Sequence, residues 1–264
     1  MRIGNLLTVV GLAVVCSGLG RADDWSHTYQ ISAQPDVRVE TNDGAVTVRG
    51  WSQHSVEAKV TTGGWKIGPG EVEVHEHQSG DSVTLEVKIP NRHWNVGNRW
   101  LKIDLSVPRE AKLTVHTGDG GVHINDVQGD VRVNTGDGGI DAEGVGGAFE
   151  ARTGDGHIRT RGRFDSLYLH TGDGSVEADA EAGSKVAGPW HVETGDGSVT
   201  LRVPKDLAAD LEAKTGDGHI AVDVPLTLTA GKLEQHYVHG RLNGGGQPIT
   251  VKTGDGGIRI AQHP

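Results

Sequence analysis

The sequence predicts an all-β protein, a parallel β-solenoid with about 18 residues and two short strands per coil, and three observations point there. The tetrapeptide Thr-Gly-Asp-Gly begins at Thr117, Thr135, Thr153, Thr171, Thr194, Thr215 and Thr253, and the first four copies are spaced by 18 residues. A fixed period of this size marks a small unit that cannot bury its own apolar face and must stack on copies of itself. On both sides of each copy apolar and polar residues alternate, the period of a strand with one face buried. Finally, the 264 residues include 41 glycines and only 4% aromatics, a composition suited to a thin core and many tight turns.

Taken from the start of the chain, Met1 and Arg2 precede an apolar run from Leu6 to Val15 and then small residues up to Ala22. Gly20 and Ala22 stand where a signal peptidase requires small side chains, so residues 1–22 read as a removed secretory signal. The apolar run is well short of the roughly 20 residues that cross a bilayer, so no transmembrane segment remains after cleavage. Cys16 falls within the signal, and its flanks Ala13 and Val15 do not suit a lipidation site. The mature chain therefore carries no cysteine, and ladders and stacking must supply its stability. Without Arg2 and Arg21 it has 23 basic against 35 acidic residues, a net charge of −12. That balance excludes nucleic acid as a partner, since phosphate binding needs a basic stripe.

Residues 23–112 read as an N-terminal part: one degenerate coil followed by a β insertion or cap. Val37, Val39, Thr41, Asn42, Asp43, Gly44, Val46 and Val48 form the degenerate coil. From Trp51 to Pro108 the period breaks, with strand-like runs at Val72–His75, Val83–Ile89 and Leu101–Val107, the first two joined by a turn at Ser79-Gly80-Asp81. These predict an antiparallel cap at one end.

Residues 113–264 hold the repeat array. Four and two residues before each threonine stand Leu113 and Val115, Val131 and Val133, Phe149 and Ala151, Leu167 and Leu169, Trp190 and Val192, Leu211 and Ala213, Ile249 and Val251. After the tetrapeptide the inward pattern resumes, for example with Val122 and Ile124 or Ile140 and Ala142. Between the two strands Gly-Asp-Gly reads as a corner, with glycines where positive φ is cheap and an aspartate bonding a neighbouring amide in an Asx turn. A looser second corner is expected near Gly129, Gly147 and Gly162. Outward residues Asp141, Arg159 and Glu177 occupy equivalent positions and alternate in sign, as do Arg132 and Glu150, so successive coils should pair through them.

Valine-alternating strands followed by T-G-D-G-x-I, the Val107-Pro108 step before the array, and LNGGGQPITVKTGDGGIRI at residues 242–260 resemble the bacterial DUF4097 family of proposed adhesins. The resemblance covers most of the mature chain. It implies a β-solenoid of undefined biochemical function, exported or membrane-associated, and it brings no catalytic residues with it.

Two sets of side chains are candidates for a site. Asp119, Asp137, Asp155, Asp173, Asp196 and Asp217 would form a column of like charges about 5 Å apart, costing about 1 kcal/mol per neighbour in a watery dielectric. Solvation and turn hydrogen bonds can offset this, and so can bound Ca²⁺. RTX β-rolls do bind calcium, but they carry aspartate at both corners, whereas here one corner has it. The second set is Trp94 and Trp100, in the irregular stretch NRHWNVGNRW. With Trp25, Trp51 and Trp65 they either pack the cap or present rings to a glycan or protein. His75 with His77, and His236 with His239, lack a third metal ligand nearby. Catalysis is disfavoured because glycoside chemistry needs an asymmetric carboxylate pair and a ladder makes every aspartate alike.

The sequence thus reads as an exported, non-enzymatic, adhesin-like envelope scaffold, periplasmic, cell-surface or secreted, with no cofactor. Its expected partner is an envelope protein or a glycan. A calcium-stabilised β-roll is the alternative, and a carbohydrate-active β-helix enzyme comes third.

Overall fold

The computed structural model describes residues 22–89, 99–228 and 235–263; residues 1–21 of the expected signal and Trp94 lie outside them. Among the described residues there is no helix, and 21 strands join in one open sheet. In chain order the first nine are β1 (Ala22–Gln30), β2 (Asp36–Thr41), β3 (Ala45–Trp51), β4 (Ser55–Gly63), β5 (Glu73–Ser79), β6 (Ser82–Lys88), β7 (Trp100–Pro108), β8 (Glu110–Thr117) and β9 (Val122–Asn125). The next six are β10 (Gln128–Thr135), β11 (Ile140–Thr153), β12 (Ile158–Thr171), β13 (Val176–Ala180), β14 (Trp190–Thr194) and β15 (Val199–Val203). The last six are β16 (Ala209–Thr215), β17 (Ile220–Asp223), β18 (Thr227–Leu228), β19 (Tyr237–Leu242), β20 (Pro248–Thr253) and β21 (Ile258–Gln262).

Parallel ladders stack these strands in two runs. Before the Thr-Gly-Asp-Gly corner the order is β6, β2, β8, β10, β11, β12, β14, β20, β16. After it the order is β7, β3, β9, β11, β12, β13, β15, β21, β17. The inward positions expected from alternation meet between the two runs: Leu113, Val131, Phe149, Leu167, Trp190, Ile249 and Leu211 are all buried, and among the later ones Val222 is the partial exception. Within the core Phe164 stands 6.1 Å from both Phe149 and Trp190, edge-on to the latter. The ladder charges fall in the expected register, with Asp141 opposite Arg159, Arg159 opposite Glu177, and Arg132 opposite Glu150.

Three features depart from the expectation. First, β11 and β12 each run 14 residues straight through the second corner, so two strands merge into one bent strand. Gly144 (φ 66°) and Gly147 (φ 90°) absorb the bend, and the β11–β12 register shifts beside both. Second, the expected cap is antiparallel only in part. β6 and β7 continue the parallel stack onto β2 and β3, while the antiparallel strands are β5 against β6, β4 against β7 and β1 against β4. A hairpin at Gly80 (φ 59°) joins β5 to β6. Third, the last coil in sequence is not last in space: β20 and β21 lie between the coil of Thr194 and the coil of Thr215. β19 then closes the outer side of β16 in antiparallel fashion.

Candidate functional site: a threonine-glycine ladder beneath a carboxylate column

The repeated threonine shares the parity of the inward apolar residues two and four places before it, so its side chain enters the core. Thr117, Thr135, Thr153, Thr171, Thr194, Thr215 and Thr253 are all buried. A hydroxyl in such a place needs partners, and each finds one on the neighbouring coil. Thr135 Oγ1 donates to Gly120 O at 3.0 Å, Thr153 to Gly138 O at 2.9 Å, Thr171 to Gly156 O at 2.8 Å and Thr194 to Gly174 O at 2.7 Å. The series continues through Thr253 to Gly197 O and Thr215 to Gly256 O, both at 2.8 Å. In return the amide of the second glycine donates to its own threonine, as Gly156 N does to Thr153 Oγ1 at 3.2 Å. The first glycines form a parallel ladder of their own, with Gly154 N to Gly136 O at 2.5 Å and Gly172 N to Gly154 O at 2.6 Å.

This corrects the reason for the glycines. None of the glycines in the seven tetrapeptides has a positive φ; in the degenerate coil Gly44 does, at 113°. What the tetrapeptide glycines provide is room, because a Cβ on Gly138 would fall inside the van der Waals shell of Gly120 O, and one on Gly156 inside that of Gly138 O. The Asx turn is likewise absent from the tetrapeptides. Asp43 Oδ1 of the degenerate coil accepts from Gly44 N at 2.6 Å, whereas no hydrogen bond or ion pair reaches the carboxylates of Asp119, Asp137, Asp155, Asp173, Asp196 or Asp217 among the described residues.

The aspartates are therefore held by the backbone of their corner and point to solvent, all six exposed. Because threonine pairs with threonine from coil to coil, the column runs Asp43, Asp119, Asp137, Asp155, Asp173, Asp196, Asp255, Asp217. Asp255 joins between Asp196 and Asp217, a neighbour relation that the sequence order hides.

Of the second candidate set, Trp100 lies among the described residues, beside the same edge. Asn42 Nδ2 donates to Ile89 O at 2.9 Å and Ile89 N donates to Asn42 Oδ1 at 2.8 Å, while β7 enters beside Gly44 with Lys102 opposite Ala45. Ile89 and Leu101 thus both stand against the first corner of the column, at Asn42 and Gly44. Trp100 is the exposed large apolar side chain among the described residues, 47% accessible, and its indole lies over Gly63, where any Cβ would meet the ring. The other described tryptophans of the N-terminal part pack instead. Trp25 and Trp65 lie against the core, and Trp51 Nε1 donates to Ser55 O at 2.9 Å. Arg99 places its guanidinium 5.8 Å from the Trp65 ring.

Elsewhere many of the charged groups pair with one another. A groove of about 560 Å³ on the outer face of the second run is lined by Arg49, His123, Asp141, Arg159, Glu177 and Arg202. Most of these side chains pair with each other: Arg202 with Glu177 at 2.6 Å, Arg159 with Glu177 at 3.9 Å, His123 with Asp141 at 3.4 Å. At the capped end Tyr29 donates to Glu76 at 2.5 Å, and burial together with that carboxylate pushes its phenol far above the usual range. His27 Nδ1 reaches the same Glu76 oxygen at 3.0 Å. Asp81 accepts from Ser32 N at 2.7 Å, which holds its carboxyl below the ordinary value and pins the hairpin to the connection between β1 and β2. His75 pairs with Glu73 at 3.3 Å, and no group of three or more metal-ligating side chains occurs among the described residues.

The family model described as Toastrack DUF4097 matches residues 31–261. No curated protein matches the chain. Among solved structures it is similar to a "putative cell adhesion protein" from Clostridium sporogenes, at 13% identity and a TM-score of 0.42 over 91% of this chain and 99% of that one. It is also similar to a "putative lipid binding protein" from Parabacteroides distasonis, at 13% identity and a TM-score of 0.41 over 92% and 98%. A "putative adhesin" from Parabacteroides merdae follows at 12% identity and a TM-score of 0.39, over 92% and 97%.

Proposed function

We propose, from the premise that the chain belongs to the Toastrack DUF4097 family, that it is an exported, non-enzymatic, adhesin-like β-solenoid of about 18-residue coils whose corner edge recognises an envelope protein or a glycan. Export follows from the signal read at residues 1–22, with cleavage after Ala22. No helix among the described residues is long and apolar enough to cross a membrane. The observation that carries the reading is Trp100, an exposed indole at the start of β7, the strand paired with β3 beside the coil where the carboxylate column begins. An aromatic ring beside acceptor-only groups is the combination that binds sugar rings and cationic or amide-rich protein surfaces. Regular coils present near-identical side chains, so a distinctive aromatic anchor arises where the period breaks. Trp94 is included in the proposal from the sequence alone, six residues before β7 begins.

The test is capture by the mature protein of an envelope extract and of an arrayed glycan set, wild type against Trp94→Ala/Trp100→Ala. Capture should fall at least tenfold with the melting temperature within a few degrees of wild type. A large loss of stability would make the rings core, and unchanged capture would move recognition to the solenoid faces.

The carboxylate column favours one further reading, calcium bound along the edge through Asp119, Asp137, Asp155, Asp173, Asp196 and Asp217, with Asp255 among them. The opposite corner offers no matching column, so each ion would hold an incomplete ligand set and bind weakly.

A further inference from the structure

The coil at residues 248–262 is inserted between two coils that precede it in the chain. β20 pairs with β14 on one side and β16 on the other, and β21 with β15 and β17. The threonine ladder runs through it without a change of chemistry, from Thr253 Oγ1 to Gly197 O and from Thr215 Oγ1 to Gly256 O. Its covalent tie to the rest is a connector, residues 243–247, that passes from β19 on one flank of β16 to β20 on the other. Asn243 (φ 46°), Gly244 (φ 92°) and Gly245 (φ 90°) all take the left-handed region, which an asparagine adopts at a cost. The connector crosses the chain entering β16, with Asn243 Nδ2 donating to Lys205 O and Leu207 O, both at 2.9 Å.

We infer that the interval between the Thr194 and Thr215 coils is an acceptor slot for residues 248–262, and that the same segment from a second copy of this chain can fill it, giving an exchanged dimer. Every ladder contact of the inserted coil is identical whether it comes from its own chain or from another, so the two states differ in the connector alone. Opening the connector releases its run of positive-φ residues. Closure is favoured at low protein concentration by the high effective concentration of a segment on a five-residue tether, and exchange gains as the chain concentration rises. A self-adhesive coil gives the scaffold read under Proposed function a homotypic partner, but it depends on the strand order and not on the recognition edge.

Connector length decides between the states. β19 and β20 are separated by two strand spacings, about 10 Å. Removing Gly244 to Gly246 leaves three virtual bonds between Leu242 and Pro248, at most about 11 Å, too short to rise over the chain at residues 205–210. The deletion should convert the mature protein to a dimer by sedimentation. Thr200 faces Arg259 across the β15–β21 ladder, and the mature chain has no other cysteine, so Thr200→Cys/Arg259→Cys reports which chain supplies the coil. With the natural connector the disulfide should close within one chain; with the deletion it should link two. A monomeric deletion variant, folded or not, with no interchain disulfide overturns the inference. A second experiment keeps the connector intact: a Thr200→Cys chain is incubated at high concentration with an Arg259→Cys chain. The mixed disulfide should form slowly and exceed that of a Thr114→Cys control at least tenfold. Equal yields from both overturn the proposal.

Discussion

The two corners of each coil solve one problem by different physics. At the second corner glycine does what a turn ordinarily asks of it: Gly129 (φ 123°), Gly144 and Gly147 take conformations that side chains resist, each at its own place, and β11 and β12 run on through the bend. At the repeated corner no glycine has positive φ, yet the sequence is far stricter. Carbonyls of the neighbouring coil stand where a Cβ would be at both corners, at Gly129, Gly147 and Gly162 as at Gly138, and what the repeated corner adds is the buried threonine hydroxyl that ties each coil to the next. A corner without that tie can drift from coil to coil, whereas one that hydrogen-bonds to its neighbour through the same side chain must be copied in every coil.

The largest effect expected from this contrast is at Gly138. A valine there would drive its Cβ into the backbone of the Gly120 corner, an obstacle that no side-chain rotation removes. Gly138→Val should cost more than about 4 kcal/mol, enough to leave little folded protein. Ser175, one residue beyond its corner glycine and exposed, should accept valine within about 0.5 kcal/mol. Thermal or urea melts of the pair decide it. If the two shift alike, neighbour contact is not what dictates the corner.

The threonine hydroxyl is tested by Thr153→Val, which keeps the shape and removes the bond to Gly138 O at 2.9 Å and the one received from Gly156 N at 3.2 Å. Both groups would be left buried and unpaired, for a loss of about 3 kcal/mol, whereas Thr153→Ser should lose less than about 1 kcal/mol by keeping the hydroxyl. At this chain length about 3 kcal/mol corresponds to a fall of roughly 6–12 °C in melting temperature. A valine variant as stable as the serine variant would reduce the ladder to a packing feature.

Much of the fold is legible in the residues themselves. Alternation places Leu113 and Val115 or Phe149 and Ala151 inward, and the ladder partners Asp141, Arg159 and Glu177 follow from the 18-residue offset. The threonine role is also there to be read, since Thr117 is in phase with Leu113 and Val115 and must therefore be buried. What escapes is whatever depends on which coil lies next. All corners share the same ladder chemistry, so nothing local says that the Thr253 coil stands between those of Thr194 and Thr215. For the same reason Trp100 and the aspartates look unrelated in sequence. Only the register of β7 on β3, with Lys102 beside Ala45, shows that the strand beginning at Trp100 stacks on the first corner of the column.

The smallest effect sharpens the contrast at the outer rim of the repeated corner. Asp155 stands between Asp137 and Asp173, exposed, with no hydrogen bond of its own, so its charge adds repulsion and nothing in the ladder depends on it. With neighbours about 5 Å away in a watery dielectric, each contact costs up to about 1 kcal/mol before salt screening. Asp155→Asn keeps the shape and removes two such contacts. In chelator and low salt it should raise the melting temperature by a degree or two, and the gain should fade by about 0.5 M salt as the Debye length shrinks below the spacing. Millimolar calcium should raise the wild type by no more than a few degrees, since weak sites on one edge add little by mass action. The opposite pattern, a variant less stable than wild type in calcium and a wild type that unfolds in chelator, would make the column a structural calcium site. The strict conservation of shape at this corner would then serve an ion as well as the neighbouring coil.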